Sequence, residues 1–165
     1  EGLGKIILIE PKALLTKASK MPGLDGQKMS KSYENMISLR DDPEVITQKI
    51  KKMPTDPARI KLSDPGDPNK CPVWQMHQIY SPQDTLDWVV EGCTKAKIGC
   101  IECKGPVIDS VISELGPIQE RIAKYQSNPN LIQEIIFDGS ERARSVAKNT
   151  LEEVRDAMGD RKSVV

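Results

Sequence analysis

Between Val107 and Tyr125 apolar side chains return every three or four residues, at Val107, Ile108, Val111, Ile112, Leu115, Ile118, Ile122 and Tyr125, with polar residues between them. This is the period of one helix face, so the stretch predicts a long amphipathic helix, bent where Gly116-Pro117 removes a backbone donor. A second set, running from Leu131, Ile132, Ile135 and Ile136 to Val146, Leu151, Val154 and Met158, follows the Asn128-Pro129 turn. It predicts one or two further helices that stop near Gly159. Upstream, Val45, Ile46, Lys49, Ile50 and Met53 share a face, with Asp41 or Asp42 as cap, Pro43 in the first turn and Met53-Pro54 at the end. A short helix over 73–80 and another opened by Ser81-Pro82-Gln83-Asp84 and running through Val90 and Cys93 complete the helical set.

Other stretches break this rhythm. Lys5 to Glu10 holds Ile6-Ile7-Leu8-Ile9, stopped by Pro11, too brief for three helical turns and predicted as a short buried strand. One strand cannot make a sheet, so its partners lie elsewhere or it packs alone on helices. Met21 to Tyr33 carries Pro22, Gly23, Gly26, Ser30 and Ser32 around only two strongly apolar residues, Leu24 and Met29, and is a loop. Thr55 to Pro72 is too rich in proline for regular structure, and its length inside a compact domain argues for an ordered loop.

The 165 residues suit one domain or one and a fraction. Lys plus Arg and Asp plus Glu both number 24, which excludes a uniformly basic coat and makes any charge-driven binding local. The first 82 residues hold 13 basic against 10 acidic side chains, so the first half is the side expected to meet phosphate. There is no membrane-length apolar run and no secretory pattern at the start, so a soluble, cytoplasmic setting is expected. The start lacks Met and runs at once into an apolar stretch, so the chain reads as a fragment.

The stretch that suggests chemistry is Gly23-Leu24-Asp25-Gly26-Gln27-Lys28-Met29-Ser30-Lys31-Ser32. Lys28 and Lys31 lie three apart, so a helix-like turn would aim two ammonium groups at one point, with the hydroxyls of Ser30 and Ser32 close by. A polyanion fits such a set, and Gly23 and Gly26 let the backbone bend and approach a ligand. A generic polar run of five residues is more often a solvated turn. Here, however, Lys28-Met29-Ser30-Lys31-Ser32 resembles letter for letter the KMSKS signature of the class I aminoacyl-tRNA synthetases. The setting of Gly23 to Gly26 before it and Asn35 and Leu39 after it looks like the tryptophan and tyrosine members. Thr55-Asp56-Pro57-Ala58-Arg59, Asp64-Pro65-Gly66-Asp67-Pro68 and Cys71-Pro72-Val73-Trp74-Gln75 are similar to the bacterial tryptophanyl-tRNA synthetases, and the likeness runs from about Ile6 to Gly159.

The resemblance implies that Lys28 and Lys31 are catalytic, stabilising the pyrophosphate of ATP, and that Lys28, Met29, Ser30, Lys31 and Ser32 bind ATP. It implies a mainly α chain: the end of a Rossmann-like α/β core over 1–40, with one short strand and the signature loop, then a helical tRNA-binding domain over 41–159 and a flexible tail over 160–165. The implied reaction is ATP-dependent activation of tryptophan, with Mg2+ in the whole enzyme, and transfer to tRNA(Trp) by a homodimer. The family's His-Ile-Gly-His-like signature does not occur in these residues, where His77, expected as a packing or surface residue, is the single histidine. The chain is therefore expected to be inactive by itself. The rival readings are a non-catalytic helical RNA-binding module with a structural metal or iron–sulfur cluster, a tyrosine-specific relative, and a redox sensor using Cys100 and Cys103.

Cys71, Cys93, Cys100 and Cys103 are separated by 21, 6 and 2 residues. The last spacing is one that chelates a metal, and four thiolates complete the ligand set of a 4Fe-4S cluster or a tetrahedral Zn2+. Four unlinked thiols, buried as small apolar groups, are the plain alternative. A subset of bacterial tryptophanyl-tRNA synthetases carries a cluster at similar spacing, which places iron–sulfur ahead of zinc here.

Overall fold

The Asp42 carboxylate accepts the backbone N–H of Val45 at 3.1 Å and Pro43 opens the first turn, so α1 (Pro43–Lys52) starts where its sequence signals place it. The computed structural model describes residues 6–15 and 19–160. Four further helices follow: α2 (Pro72–Tyr80), α3 (Gln83–Thr94), α4 (Cys100–Gln126) and α5 (Pro129–Met158). Short 3-10 turns occupy Lys31–Tyr33 and Pro68–Lys70.

Several boundaries differ from expectation. Ser81 does not cap α3; its hydroxyl lies 2.8 Å from His77 Nδ1, and Pro82 stands at the cap without a side-chain bond. The long helix α4 begins at Cys100 and runs through both Pro106 and Pro117, so neither proline ends it. After the Asn128 cap, which accepts the N–H of Leu131 at 3.2 Å, the one or two helices expected there are a single helix of 30 residues. It closes at Gly159, whose φ of 72° is the left-handed value that favours glycine at this position.

The expected strand is not formed. Ile6, Leu8 and Ile9 are exposed, and no strand occurs among the described residues. An extended segment with no neighbouring strand has no ladder to join, so aliphatic content alone does not make it β. Among the described residues the backbone pairing that occurs is an antiparallel bridge between Pro22 and Lys28. Lys5 of the expected strand and residues 161–165 of the expected tail lie outside the described residues.

The described chain divides into two units, one within residues 15–122 and one made of the residues before 15 and after 122. In the first, Ile46, Ile50 and Met53 meet Val73 and Met76 of α2 and Val107, Ile108, Val111 and Leu115 of α4. This is the core anticipated from the helical periods of α1 and α4. Leu24 and Ile37, on either side of the signature loop, pack against it. One basic side chain is built into the same unit: Lys104 is buried, and its Nζ donates at 2.7 Å to the carbonyls of both Lys51 and Met53, satisfying the carbonyl end of α1. Helix α5 belongs to the second unit and buries none of its own residues. Among the described residues no helix is long and apolar enough to cross a membrane.

Candidate functional site

The signature residues sit on a loop closed at its base by the Pro22–Lys28 bridge. Met29 N–H donates to Met21 O at 2.8 Å, Gly23 N–H to Gln27 O at 2.5 Å and Gly26 N–H to Gly23 O at 3.0 Å. Gly26 turns the loop at a φ of 82°, and a Cβ there would lie 2.7 Å from Pro72 Cγ, so glycine answers both the conformation and the close approach to α2. Ser30 is extended, and its Oγ accepts the N–H of Ser32 at 3.2 Å, capping the 3-10 turn that begins at Lys31. Lys28 and Lys31 therefore do not share a helical turn: one ends the bridge and the other starts the 3-10 turn. Both are exposed, as is Ser32, while Met29 and Ser30 are half-buried. Among the described residues neither lysine has an ion-pair partner, so both ammonium groups are available to an anion.

Asn35 holds this loop from behind. It is buried, its Oδ1 accepts Ser30 N–H at 2.7 Å, and its Nδ2 donates to Asp25 Oδ1 at 2.7 Å and to Lys28 O at 3.2 Å. The Asn35 amide, and after it the Gln27 N–H, holds the Asp25 carboxyl below its ordinary range by favouring the charged form. Gly23 is required here as well, since a Cβ on it would lie 2.3 Å from Asn35 Nδ2.

A second constellation forms where the proline-rich loop meets the starts of α2 and α4 and the end of α3. Cys71, Cys93, Cys100 and Cys103 all line one cavity of about 20 Å³, with Asp56, Arg59 and Val73. The folded chain thus gathers four thiols spread over 33 positions. Arg59 reaches among them: its Nη1 lies 3.9 Å from both Cys93 Sγ and Cys100 Sγ, and its Nη2 donates to Leu62 O at 3.0 Å and Ile98 O at 2.7 Å. Burial pushes the Cys103 thiol up to about 12, with the neighbouring thiols adding to the rise, and burial also raises Cys93 against the pull of Arg59. Both are therefore neutral thiols at neutral pH in the absence of a cation. Among the described residues no group of three or more His, Cys, Asp or Glu side chains is arranged to hold a metal ion. The donor chemistry fits a thiophilic metal, whereas the cavity admits little more than a single small atom and Arg59 occupies its flank.

The loop that carries Arg59 is ordered, as its length suggested. Asp56, buried, accepts the N–H of Ala58 at 3.0 Å and that of Asp67 at 2.8 Å, tying together residues eleven apart, and these bonds, led by Asp67, lower its pKa. Gly66 lets the backbone pass Cys93, whose Sγ would be 2.6 Å from a Cβ. His77 is fully buried and fully bonded: Nε2 donates to Cys103 O at 2.9 Å, which leaves Nδ1 to accept from Ser81 Oγ. Burial lowers its pKa, consistent with a neutral packing residue. Its Nε2 also lies 3.6 Å from Cys103 Sγ, a proximity that the sequence does not signal. An open hollow along α5, lined by residues from Arg144 to Asp160, contains none of the candidate residues.

Sequence reasoning weighed Lys28, Lys31 and the cysteines but passed over Asp25 and Asn35 as supports and Arg59 as a neighbour of the thiols. Asp25 beside Gly26 signals a turn, yet nothing in that signal pairs it with Asn35 ten positions on.

Residues 2–116 match the family model described as tRNA synthetases class I (W and Y). The chain is 57% identical to the tryptophan–tRNA ligase of Ralstonia nicotianae over 96% of this chain and 40% of that protein. It is 45% identical to that of Thermotoga maritima over 90% of this chain and 46% of the other. It thus spans less than half the length of these curated relatives. In fold it is similar to the tryptophanyl-tRNA synthetase of Campylobacter jejuni, solved with ADP and tryptophan, with a TM-score of 0.71 at 23% identity over 85% of this chain and 43% of that one.

Proposed function

Because the chain belongs to the class I tRNA synthetase family of the tryptophan and tyrosine enzymes, we propose that it is the carboxyl-terminal part of a tryptophan–tRNA ligase. The whole enzyme activates tryptophan with ATP and transfers it to tRNA(Trp). The names of its relatives at 57% and 45% identity support the tryptophan reading over a tyrosine-specific one. The observation that carries the catalytic part is the signature loop: two exposed lysines with no ion-pair partner among the described residues, on a backbone tied at several points. In this reading Lys28 and Lys31 stabilise charge on the leaving pyrophosphate, and Met29, Ser30 and Ser32 complete the ATP contact.

Donors aimed at developing charge contribute roughly 3 to 4 kcal/mol each, so Lys31→Ala in the complete enzyme should slow tryptophan-dependent ATP–pyrophosphate exchange about 10²- to 10³-fold. An exchange rate near normal would overturn the assignment. Exchange supported by tyrosine in place of tryptophan would favour the tyrosine-specific relative. Unchanged ATP binding on loss of Lys28 and Lys31 together would favour the RNA-binding module.

The same reading divides the chain into the end of the catalytic core, over 1–40, and a helical domain for tRNA, over 41–159, in a cytoplasmic homodimer. Contact with tRNA phosphates weakens with salt, and the even overall charge suggests a shallow salt slope.

A second reading concerns Cys71, Cys93, Cys100 and Cys103, supported by their sharing one cavity. We infer that these residues hold a 4Fe-4S cluster or, as the alternative, Zn2+. Four thiolates would fix α2, α3 and α4 to one another, a structural role. Loading would require the thiols to lose their protons and to shift into ligand geometry, with Arg59 offsetting part of the resulting negative charge. Iron and sulfide, with absorbance near 400 nm after anaerobic purification that is lost in Cys100→Ser, would support the cluster. One zinc in a colourless protein would support the alternative, and neither would leave four free thiols.

A further inference from the structure

We propose that Asn35 is the positioning residue of the signature loop, its side-chain amide setting the backbone path from Lys28 to Ser30 and so the direction in which the two lysines emerge. The inference rests on the reading that this loop serves the phosphates of ATP.

Lys28 and Lys31 have no ion-pair partners of their own among the described residues, so what aims them is the backbone they stand on. That backbone is gripped by one side chain. Asn35 Oδ1 accepts the N–H of Ser30 and Asn35 Nδ2 donates to the carbonyl of Lys28, one bond on either side of Met29. The second hydrogen of Nδ2 goes to Asp25, which is itself fixed by accepting the N–H of Gln27. The Asn35 carbonyl accepts Leu24 N–H at 2.8 Å, which ties the start of the loop to the same residue.

Only an amide of this length offers two donors and an acceptor at one point. Aspartate would keep the acceptor for Ser30, lose both donors and set a second carboxylate against Asp25. Alanine would leave the Lys28 carbonyl and the Ser30 N–H without partners. Gly23 shows how closely the amide is held, since there is no room even for a methyl group beside Nδ2. None of these bonds needs the ligand, so the loop is preorganised before ATP arrives, which is where a positioning residue acts.

The test uses the complete enzyme and compares Asn35→Ala, Asn35→Asp, the exchange Asp25→Asn with Asn35→Asp, and Lys31→Ala. Small misplacements of catalytic groups cost up to about a hundredfold, so both single Asn35 variants should lower kcat for ATP–pyrophosphate exchange about ten- to a hundredfold. The KM for tryptophan should stay unchanged, and the losses should persist per folded molecule as counted by active-site titration. The paired exchange restores an amide–carboxylate bond and removes the like-charge contact, so it should recover part of the Asn35→Asp loss.

If Lys31→Ala is crippled while Asn35→Ala and Asn35→Asp stay within about threefold of wild type, the positioning role is overturned and the reading of the loop survives. If Lys31→Ala is itself silent, that reading falls and takes this inference with it. A loss in the Asn35 variants that disappears when rates are counted per folded molecule makes Asn35 a stability residue only, and also overturns the proposal.

Discussion

The Asn35 amide donates to the Asp25 carboxylate across 2.7 Å, joining the entrance of the signature loop to its exit. The bond favours the ionised carboxyl, so the folded pKa lies below the ordinary 3.8. A group depressed in this way contributes its stabilisation in full above its unfolded value and loses it as pH falls through the lowered folded value. An NMR titration of the Asp25 side-chain carbon should therefore show a midpoint under 3.8, moving back toward that value in Asn35→Ala. A midpoint indifferent to the substitution would show that the amide does not hold the carboxylate in solution.

Gly26 turns the loop over Pro72 at a left-handed φ of 82°. Alanine there meets both a backbone penalty of roughly 1 kcal/mol and a contact of its Cβ with the proline ring, so Gly26→Ala should destabilise by about 1 to 3 kcal/mol. Urea unfolding provides the measurement. A change within a few tenths of a kcal/mol would mean that loop and helix separate readily in solution.

Lys104 closes the end of α1 from within the core. Lys104→Met keeps most of the stem and deletes the ammonium, leaving the Lys51 and Met53 carbonyls without this donor. A buried group stripped of its partner costs about 1 to 3 kcal/mol, so the variant should lose at least about 2 kcal/mol in chemical unfolding. Exchange protection of the last amides of α1 should fall with it. Equal stability of the two proteins would mean that water replaces the ammonium.

Ile50 is fully buried and Val146 is 68% exposed, although both stand on apolar faces read from helical spacing. Ile50→Ala should cost roughly 2 to 5 kcal/mol, while Val146→Ala should change stability by no more than about 0.5 kcal/mol. Unfolding of the complete enzyme tests the first figure directly. A large effect at Val146 in that setting would reveal that the α5 face is covered by residues outside this chain.

Helix ends were legible where an Asx cap stood before a proline at the start of an apolar period, and where a glycine closed the last one. Asp42 with Pro43, Asn128 with Pro129, and Gly159 each mark a boundary found in the structure. These are local signals, because an N-cap bond and a left-handed closing residue involve groups only a few positions apart. The strand over 5–10 failed for the complementary reason, since β structure is a property of a pair and the apolar run could not name its partner. Ser81 failed as a cap because a buried imidazole competes for its hydroxyl.

For the candidate site the division runs the same way. Composition and order alone determined which chemistry was on offer: two lysines and two hydroxyls in five residues, four thiols with the last pair two residues apart, and glycines where a backbone must turn. Tertiary structure decided what each of them touches. It set Asn35 behind Lys28 and Ser30, brought Arg59 to the thiols of Cys93 and Cys100, and placed Lys104 under the end of α1. Those contacts join residues from 5 to 53 positions apart, and only the folded path of the loops and the packing of the helices determine which of the many conceivable pairs comes within hydrogen-bond reach.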